Sequence, residues 1–381
     1  MLDSLFLQAS EAAALTWEVP ALAIGVSVGG DVETAAVGCD PGTRFRVASI
    51  TKPFTTALSL ALLDLEEPSG VWPSDVRVRH MLSHTSGFDS DAGDLGRFGT
   101  DDNALAELVA ELPKIRRFVG VEQAWSYANT GYWLAGQMCA ERAGSSFEDA
   151  LARHVIRPAG LEATAFDDPD LEGTGRDALP GPYPRARRPS GGLVSNVDDL
   201  LRFGRWLLAT PDLARMRVVH GKPAAGVYGL GLFGERVGGV DVWGHGGSWG
   251  GSQSSLLVVP DHGAVFVGLT NHSLGSKALW ELEDLFFERV LGARRRVRET
   301  FELSDSARDA FTGSYANSDG WTEVEFAVDG LVVTYPDGTF AARAIGERTF
   351  EITDRERTRE RFDFPLEGFG RFGSRLAERV A

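Results

Sequence analysis

The sequence predicts an α/β fold in which one antiparallel sheet is flanked by helices, carries a helical subdomain, and is followed by a small antiparallel β domain. Two observations lead to this fold. Apolar strand patterns lie near the start of the chain and return much later, while helical patterns fill the interval. The strand patterns lie at 21–29, 33–38, 228–237, 240–246, 253–259 and 264–270. One sheet built from both groups, with helices packed on it, satisfies this order.

The elements follow in chain order. Gly30-Asp31 separates the first two strand patterns and predicts an early hairpin. Residues 54–63 are rich in helix formers and mostly apolar, which predicts a buried helix with Ser49 at its N-terminus. From about 66 to 185, loops rich in glycine, proline and aspartate alternate with helical patterns, as in a mainly helical subdomain. Further helices are predicted at 103–112, 130–143, 200–208 and 277–291.

The C-terminal part of the chain has a different character. The arginine-rich stretch 292–298 is interpreted as a linker, and beyond about residue 305 short strand and turn patterns take over, as at 321–335. These patterns predict a small antiparallel barrel or sheet. We therefore expect two domains, at 1–295 and 300–381, with the helical subdomain at about 66–185 inside the first.

The composition excludes some functions. With 38 basic and 54 acidic side chains the net charge is −16, which repels nucleic acids and anionic membrane surfaces. The two cysteines, Cys39 and Cys139, are isolated in sequence, and no metal site or cofactor is predicted. The N-terminus lacks the features of a signal peptide and no apolar run has membrane-spanning length, so a cytoplasmic protein is expected. The oligomeric state stays open.

The most informative pair is Ser49 and Lys52, in the stretch RVASITKPF. Three residues apart on a helix, both side chains lie on one face. A serine hydroxyl becomes a good nucleophile beside a base, and a lysine whose pKa is lowered can be that base. Free N–H groups at the helix N-terminus also favour the anion that acyl transfer produces. The alternative is that Ser49 only caps the helix and Lys52 lies in solvent.

A second motif is Tyr127-Ala-Asn129, on the loop that leads into a helix of the subdomain. A tyrosine near a cationic lysine can shift toward phenolate and relay a proton, and an amide side chain can hold a substrate amide. The same tripeptide recurs as Tyr315-Ala-Asn317 in the C-terminal β region, where a strand-end or turn role is favoured. Chain order and helical context favour Tyr127.

A third motif is the glycine-rich stretch WGHGGSWGG at 243–251, at the end of a predicted strand. Closely spaced glycines in a strand indicate that another segment or a substrate approaches the backbone. An edge strand beside Ser49 could bind an extended acyl substrate and supply an oxyanion N–H group. The alternative is a glycine-rich hairpin without such a role.

In this order the three motifs resemble those of the penicillin-recognising serine hydrolases, which include class C β-lactamases, D,D-peptidases, D-aminopeptidases, and related esterases and acyltransferases. Their pattern is S-x-x-K, then Y-x-N, then K-T-G or a variant such as H-x-G. The resemblance spans about residues 15–290 and includes HMLSHTSGF at 80–88, RPAGL at 157–161 and PSGGLVSNVDD at 189–199. It implies a β-lactamase/transpeptidase-like fold, and the C-terminal part is similar to the lipocalin-like domain of some members.

The resemblance also implies roles for individual residues. Ser49 would be acylated, Lys52 would activate it, and Tyr127 would be an acid or base in proton transfer. Which of Lys52 and Tyr127 is the base proper stays open at this point. The N–H groups of Ser49 and Ser248 would form an oxyanion hole, worth on the order of 3 kcal/mol per donor. The residues that would bind substrate are Asn129, His245, Gly247 and Ser248.

One departure from the family's motif pattern restricts the class of substrate. His245-Gly246-Gly247 stands where β-lactamases have Lys-Thr-Gly. The ammonium and hydroxyl that grip a substrate carboxylate are thereby replaced with an imidazole, partly charged near neutrality, and a glycine. Efficient penicillin hydrolysis is therefore disfavoured, and a substrate without a free carboxylate fits better.

The predicted function is a serine hydrolase that forms an acyl-enzyme at Ser49. Its substrates would be small esters, or peptides and amides that include those of D-amino acids, and the expected partner is such a small molecule or short peptide. Two alternatives stay open. One is an acyltransferase or peptide cyclase with the same site, and the other is a penicillin-binding sensor or weak β-lactamase.

The duplicated tripeptide gives a direct test. Replacing Tyr127 with phenylalanine should lower turnover on the order of 100-fold, because a general acid or base contributes about that much. Tyr315→Phe is the matched control and should retain full turnover in steady-state kinetics with the same amide. The reverse result would assign the catalytic role to the second copy.

Overall fold

The computed structural model describes residues 3–90, 98–179, 181–327, 330–354, 357 and 359–380. This part of the chain forms a helix-flanked antiparallel sheet and a separate closed barrel at the C-terminus. The predicted α/β fold with a C-terminal antiparallel β domain is confirmed.

The main sheet contains seven strands within the described residues, in the order β2-β1-β9-β8-β7-β6-β5. Their bounds are β1 (Leu22–Val28), β2 (Asp31–Val37), β5 (Val227–Tyr228), β6 (Phe233–Val237), β7 (Val240–Trp249), β8 (Ser252–Val259) and β9 (Ala264–Thr270). A short pair, β3 (Phe45–Arg46) with β4 (Val194–Ser195), lies beside it. Leu22 of β1 is paired with Thr270 of β9, so the sheet joins distant parts of the chain as predicted.

The strand predicted at 228–237 is wrong as one element, because the chain leaves the sheet between β5 and β6. Gly231 lies in this break at φ +72°, where a Cβ atom would be 2.3 Å from Oγ1 of Thr56. Only glycine accepts both the backbone angle and this approach.

The α-helices found in the described part of the chain lie on the two faces of the sheet, in the helical subdomain and at the barrel. They are α1 (Asp3–Thr16), α2 (Thr51–Leu62), α3 (Val78–Leu82), α4 (Ala104–Glu111), α5 (Asn129–Ala143), α6 (Phe147–Leu151), α7 (Arg188–Gly191), α8 (Val197–Ala209), α9 (Gly275–Phe286) and α10 (Asp305–Phe311). Helix α8 begins three residues earlier than predicted, because the Asn196 side chain accepts a hydrogen bond from the Asp199 N–H and caps it. The sequence analysis missed α1 and α10.

Alternate residues of the central strands enter two different cores. Leu22 and Ile24 of β1 pack with α1 and α9, whereas Ala23 faces the core that contains α2 and α8. Successive side chains of a strand point to opposite faces, so a strand covered on both sides must be apolar throughout. This accounts for the nearly continuous apolar run that β1 shows in the sequence. None of the helices in the described part of the chain has the length and apolar character needed to cross a membrane.

The C-terminal domain is an antiparallel barrel of eight strands within the described residues, closed because β10 pairs with β17. The strands are β10 (Gly313–Asn317), β11 (Gly320–Ala327), β12 (Gly330–Tyr335), β13 (Gly338–Ala344), β14 (Thr349–Ile352), β15 (Arg361–Leu366), β16 (Phe369–Phe372) and β17 (Arg375–Arg379). Closure removes the unpaired strand edges that a small open sheet would expose. Phenylalanine rings fill the interior, including the stacked pair Phe350 and Phe362 with centroids 5.0 Å apart.

The stretch predicted as a linker is fixed to the first domain through Arg295. Its guanidinium forms salt bridges with Glu235 and Glu283 at 2.7 and 2.8 Å. It also lies over the ring of Phe287, 4.6 Å from the centroid. The connection to the barrel is therefore held against the end of α9.

Candidate active site

Ser49 lies on a short 3-10 turn, Ala48–Ile50, directly before helix α2. Ala48 has φ +44°, a backbone conformation that is unfavourable for a residue with a side chain. The strained turn places Ser49 at the start of α2, as predicted, and leaves its side chain partly exposed.

Lys52 is fully buried, and its Nζ lies 3.1 Å from Oγ of Ser49. The same Nζ also donates to the carbonyl of Ser190 at 2.8 Å and lies 4.7 Å from the centroid of the Tyr127 ring. The side chain of Trp133 donates to Oγ of Ser190 at 2.8 Å and so fixes that segment. The alternative of a solvated Lys52 is therefore wrong.

Tyr127 interacts with Ser49 and completes a trio with Lys52. Burial raises the pKa of Tyr127 well above its ordinary value, and the interaction with Ser49 offsets only part of that rise. The shift toward phenolate that the sequence suggested is therefore wrong, because the pKa of Tyr127 is raised and not lowered. Because burial disfavours the phenolate, the phenol stays neutral and keeps a proton to donate.

The open edge of β7 lies beside this trio. Strand β6 pairs with β7 only as far as Gly244, so residues 245–249 pair on one side, with β8. A Cβ atom at Gly247 would be 2.2 Å from the carbonyl of Val47 and 3.0 Å from the amide nitrogen of Ser49. Position 247 must therefore be glycine, because the Ser49 turn lies so close to it. A glycine-rich hairpin without a role beside Ser49 does not account for this contact.

Two serines, one on β7 and one on β8, line the cleft near this open edge. Ser254 donates from its hydroxyl to the carbonyl of Val47 at 2.8 Å, which ties β8 to the turn that carries Ser49. Ser248 is exposed, and its hydroxyl accepts a hydrogen bond from Gln253 at 2.9 Å.

His245 is 4% exposed and neutral. Burial and the nearby charge of Lys52 lower the pKa of His245 to about 3. The expectation of a partly charged imidazole near neutrality is therefore wrong. Its Nδ1 lies 2.6 Å from the carbonyl of Gly246, to which a neutral ring donates from this nitrogen.

Asn129 is the first residue of α5 and is 7% exposed. Its main-chain N–H donates to the carbonyl of Ser90 at 3.1 Å, which fixes the start of the helix. The second copy of the tripeptide lies in the barrel. There the Tyr315 hydroxyl, on a side chain 1% exposed, donates to the carbonyl of Phe311 at 2.9 Å.

A cleft of about 1280 Å³ opens over these residues. The predicted residues that line it are Ser49, Tyr127, Asn129, His245, Gly247 and Ser248. Lys52 lies behind them. Tyr183 and Trp249 also line the cleft, with ring centroids 4.9 Å apart.

The sequence analysis missed one wall of this cleft, because the barrel supplies it. Lining residues from the barrel include Asn317, Trp321 and Arg375, and Arg375 is paired with Asp319. Arg187 lines the first domain's side of the cleft and lies over the ring of Trp249. The cleft thus contains cations even though His245 is neutral. Nothing in the spacing of the motifs links the barrel to Ser49.

Comparison with known proteins identifies the family. The family model described as Beta-lactamase matches residues 9–283. The chain belongs to the beta-lactamase family. The resemblance to penicillin-recognising serine hydrolases is confirmed, and with it the prediction of an enzyme of the serine hydrolase class.

Individual relatives share part or all of the architecture. Penicillin-binding protein 4 of Amycolatopsis lactamdurans is 29% identical over 346 residues, which cover 74% of this chain and 87% of that protein. A D-aminopeptidase of Cereibacter sphaeroides is 25% identical over 280 residues, 63% of this chain and 52% of the relative, so the match spans about half its length. The crystal structure of SurE with D-Leu superimposes with a TM-score of 0.78 at 22% identity over 99% of both chains. That likeness covers the barrel as well as the beta-lactamase domain.

Gly247 offers a test of the close approach. Gly247→Ala should lower kcat/KM on the order of 100-fold, because displacing the strand by about 1 Å misplaces the reacting groups. Gly246→Ala is the matched control, since a Cβ atom there would meet no atom nearer than 3.5 Å, and it should keep most of the activity. Equal losses in both variants would contradict the assignment of Gly247.

His245 predicts a pH dependence of stability. Its folded-state pKa of about 3 lies below the ordinary value of about 6.5, so its contribution to stability is complete above pH 6.5 and is lost as the pH falls toward 3. Between pH 4 and 6 this histidine should add about 1.4 kcal/mol per pH unit to the slope of the unfolding free energy. His245→Gln should lower the slope by that amount in urea titrations. An unchanged slope would mean that the folded protein protonates His245.

Proposed function

We propose that this beta-lactamase family member is a hydrolase that forms an acyl-enzyme at Ser49 and acts on amides, peptides and esters of D-amino acids. The observation that carries the proposal is the trio, in which Nζ of the buried Lys52 lies 3.1 Å from the Ser49 hydroxyl and 4.7 Å from the centroid of the Tyr127 ring. The D-aminopeptidase among its relatives supports the choice of D-amino acids.

The trio can move the one proton that acylation requires. The scheme starts from the form of the site in which Lys52 is a neutral amine. Oγ of Ser49 attacks the carbonyl carbon of the substrate while its proton passes to Lys52, which is the base. The tetrahedral intermediate collapses as the C–N or C–O bond breaks and the leaving group takes a proton from Tyr127. Return of the Lys52 proton to Tyr127 restores the phenol. Water then repeats the sequence on the acyl-enzyme and releases the acid.

The raised pKa of Tyr127 favours this division of roles. A phenol that stays protonated is suited to donate to a leaving group, whereas a base must begin without its proton. The main-chain N–H groups of Ser49 and Ser248 are proposed as the oxyanion donors, and Asn129 as the group that holds the substrate amide. The neutral His245 is proposed to shape the cleft and not to bind a carboxylate.

The size of the cleft favours a second candidate, acyl transfer to an amine. A volume of about 1280 Å³ exceeds the several hundred Å³ that a small ligand usually occupies, so a peptide acyl group and an amine acceptor could bind together. Transfer or peptide cyclisation would use the same trio, with the amine in place of water.

Labelling of Ser49 tests the mechanism. A fluorophosphonate probe should add one adduct to the original protein in intact-mass measurements, and Ser49→Ala should remain unlabelled. Lys52→Met, which keeps the buried apolar stem, should label on the order of 100-fold more slowly because the base is lost. Labelling that persists in Ser49→Ala would overturn the assignment of the nucleophile.

The same preparations test the substrate class. A D-alanyl anilide should be hydrolysed faster than its L-enantiomer, and nitrocefin should turn over slowly. An L-preference or fast nitrocefin hydrolysis would reject the proposed substrate. Adding a D-amino-acid amide as acceptor separates the two candidates, because transfer gives a dipeptide product by mass and hydrolysis gives only the free acid.

A further inference from the structure

The catalytic Tyr127 lies on a segment without regular secondary structure, residues 125–128, which we call the Tyr127 segment. Such a segment needs outside partners to hold one conformation. Partners contact this segment from two sides, and neither partner is part of the trio of Ser49, Lys52 and Tyr127.

The inner partner is His84. Its carbonyl accepts a hydrogen bond from the N–H of Ser126 at 3.0 Å, and its Nδ1 accepts one from the N–H of Ala128, also at 3.0 Å. One residue thus holds the main chain on both sides of Tyr127. The His84 ring lies 4.3 Å from the Tyr127 ring, centroid to centroid, and 4.9 Å from that of Tyr228.

His84 is buried at this position and adopts an unfavourable backbone conformation there. It is 1% exposed and has φ +60°, a left-handed conformation that is uncommon for a residue with a side chain. Burial and the charge of Lys52 hold the pKa of His84 well below its ordinary value. The ring is therefore neutral, which is the state in which Nδ1 can accept a hydrogen bond.

The outer partner is the barrel. Arg371 on β16 donates to the carbonyl of Trp125 at 2.8 Å, and the Leu376 N–H on β17 donates to the Ser126 hydroxyl at 2.9 Å. Between them, the carbonyl of Ser374 accepts a hydrogen bond from the N–H of Tyr127 itself at 2.9 Å.

Arg371 is itself firmly held. It is 2% exposed and forms a salt bridge with Asp363 on β15. A buried arginine with both a carboxylate and a main-chain partner has a fixed direction, so the hairpin β16–β17 presents a rigid surface to the Tyr127 segment.

The geometry argues against a direct catalytic role for His84. Its Nδ1 is occupied by the N–H of Ala128, its Nε2 has no hydrogen-bond partner among the described residues, and its ring plane is tilted by 35° against the Tyr127 ring. A hydrogen bond to the phenol would instead require a ring nitrogen directed at the hydroxyl.

We propose that His84 and Arg371 are positioning residues that hold the Tyr127 segment from opposite sides and set the hydroxyl of Tyr127 against Ser49. The barrel is then part of the catalytic apparatus of the first domain. This inference rests on the proposed role of Tyr127 as the proton donor to the leaving group.

The test uses the leaving group. An amide needs its nitrogen protonated to leave, whereas a nitrophenyl ester of the same D-amino acid does not. His84→Leu should therefore lower kcat for the amide on the order of 10- to 100-fold with little change in KM, and should lower kcat for the ester much less. His84→Asn should recover most of the amide activity, because its side-chain oxygen replaces Nδ1 as acceptor and asparagine tolerates the positive φ.

A second background separates positioning from general damage. In Tyr127→Phe, adding His84→Leu should change neither rate by more than about twofold, because the group that it positions is gone. Equal losses for amide and ester in His84→Leu, or the same loss in both backgrounds, would overturn the inference. If Tyr127→Phe alone lowers both substrates equally, the proposed role of Tyr127 fails instead.

The outer partner is tested in the full chain. The paired replacement Arg371→Met with Asp363→Leu removes both buried charges together and avoids an unpaired one. It should reproduce the selective loss with the amide while the protein unfolds cooperatively on heating. Full amide turnover in this folded variant would exclude Arg371 from the positioning role. Tyr315→Phe, buried elsewhere in the barrel, is the control and should leave both rates unchanged.

Discussion

The active site depends on one close approach between the turn at Ser49 and the strand β7, which lie far apart in the chain. Gly247 admits the carbonyl of Val47 to a distance that a Cβ atom would forbid, and Ser254 ties the next strand to the same carbonyl. Strand β6 pairs with β7 only as far as Gly244, which leaves the rest of the β7 edge open beside Ser49. The proposed nucleophile and the open strand edge are therefore fixed by main-chain geometry, which stays constant when side chains move.

Burial gives this geometry its electrostatic character. Lys52 has no exposed surface, and the imidazoles of His84 and His245 are neutral because burial and the lysine charge oppose protonation. Burial also keeps the phenol of Tyr127 protonated. The dipoles around Ser49 are thus set before substrate binds, and they act in a region of low dielectric, where interactions with a developing oxyanion are strong.

Local patterns were enough to predict much of this protein. The S-x-x-K spacing, the glycines of β7 and the return of strand patterns after residue 228 predicted the sheet and located Ser49, Lys52 and Tyr127. The break at Gly231 was missed because its cause is a contact with Thr56 on another element. The pKa direction of Tyr127 was missed because it depends on how deeply three separate segments bury it. The barrel wall of the cleft was missed for a similar reason, since Arg375 is close to Ser49 only after two domains pack.

The two copies of Tyr-Ala-Asn show why such information is absent from a motif. In the barrel, the Tyr315 hydroxyl donates to the carbonyl of Phe311, and the Asn317 side chain donates to the carbonyl of Leu376. Both side chains therefore stabilise the barrel. In the first domain, the main chain around Tyr127 is held by His84 and by the barrel hairpin, which leaves the hydroxyl to face Ser49. A tyrosine can act as a proton donor in a reaction when other groups fix its main chain in position. The chemical difference between the identical tripeptides therefore lies in their neighbours, and one of those neighbours is the domain that contains the other copy.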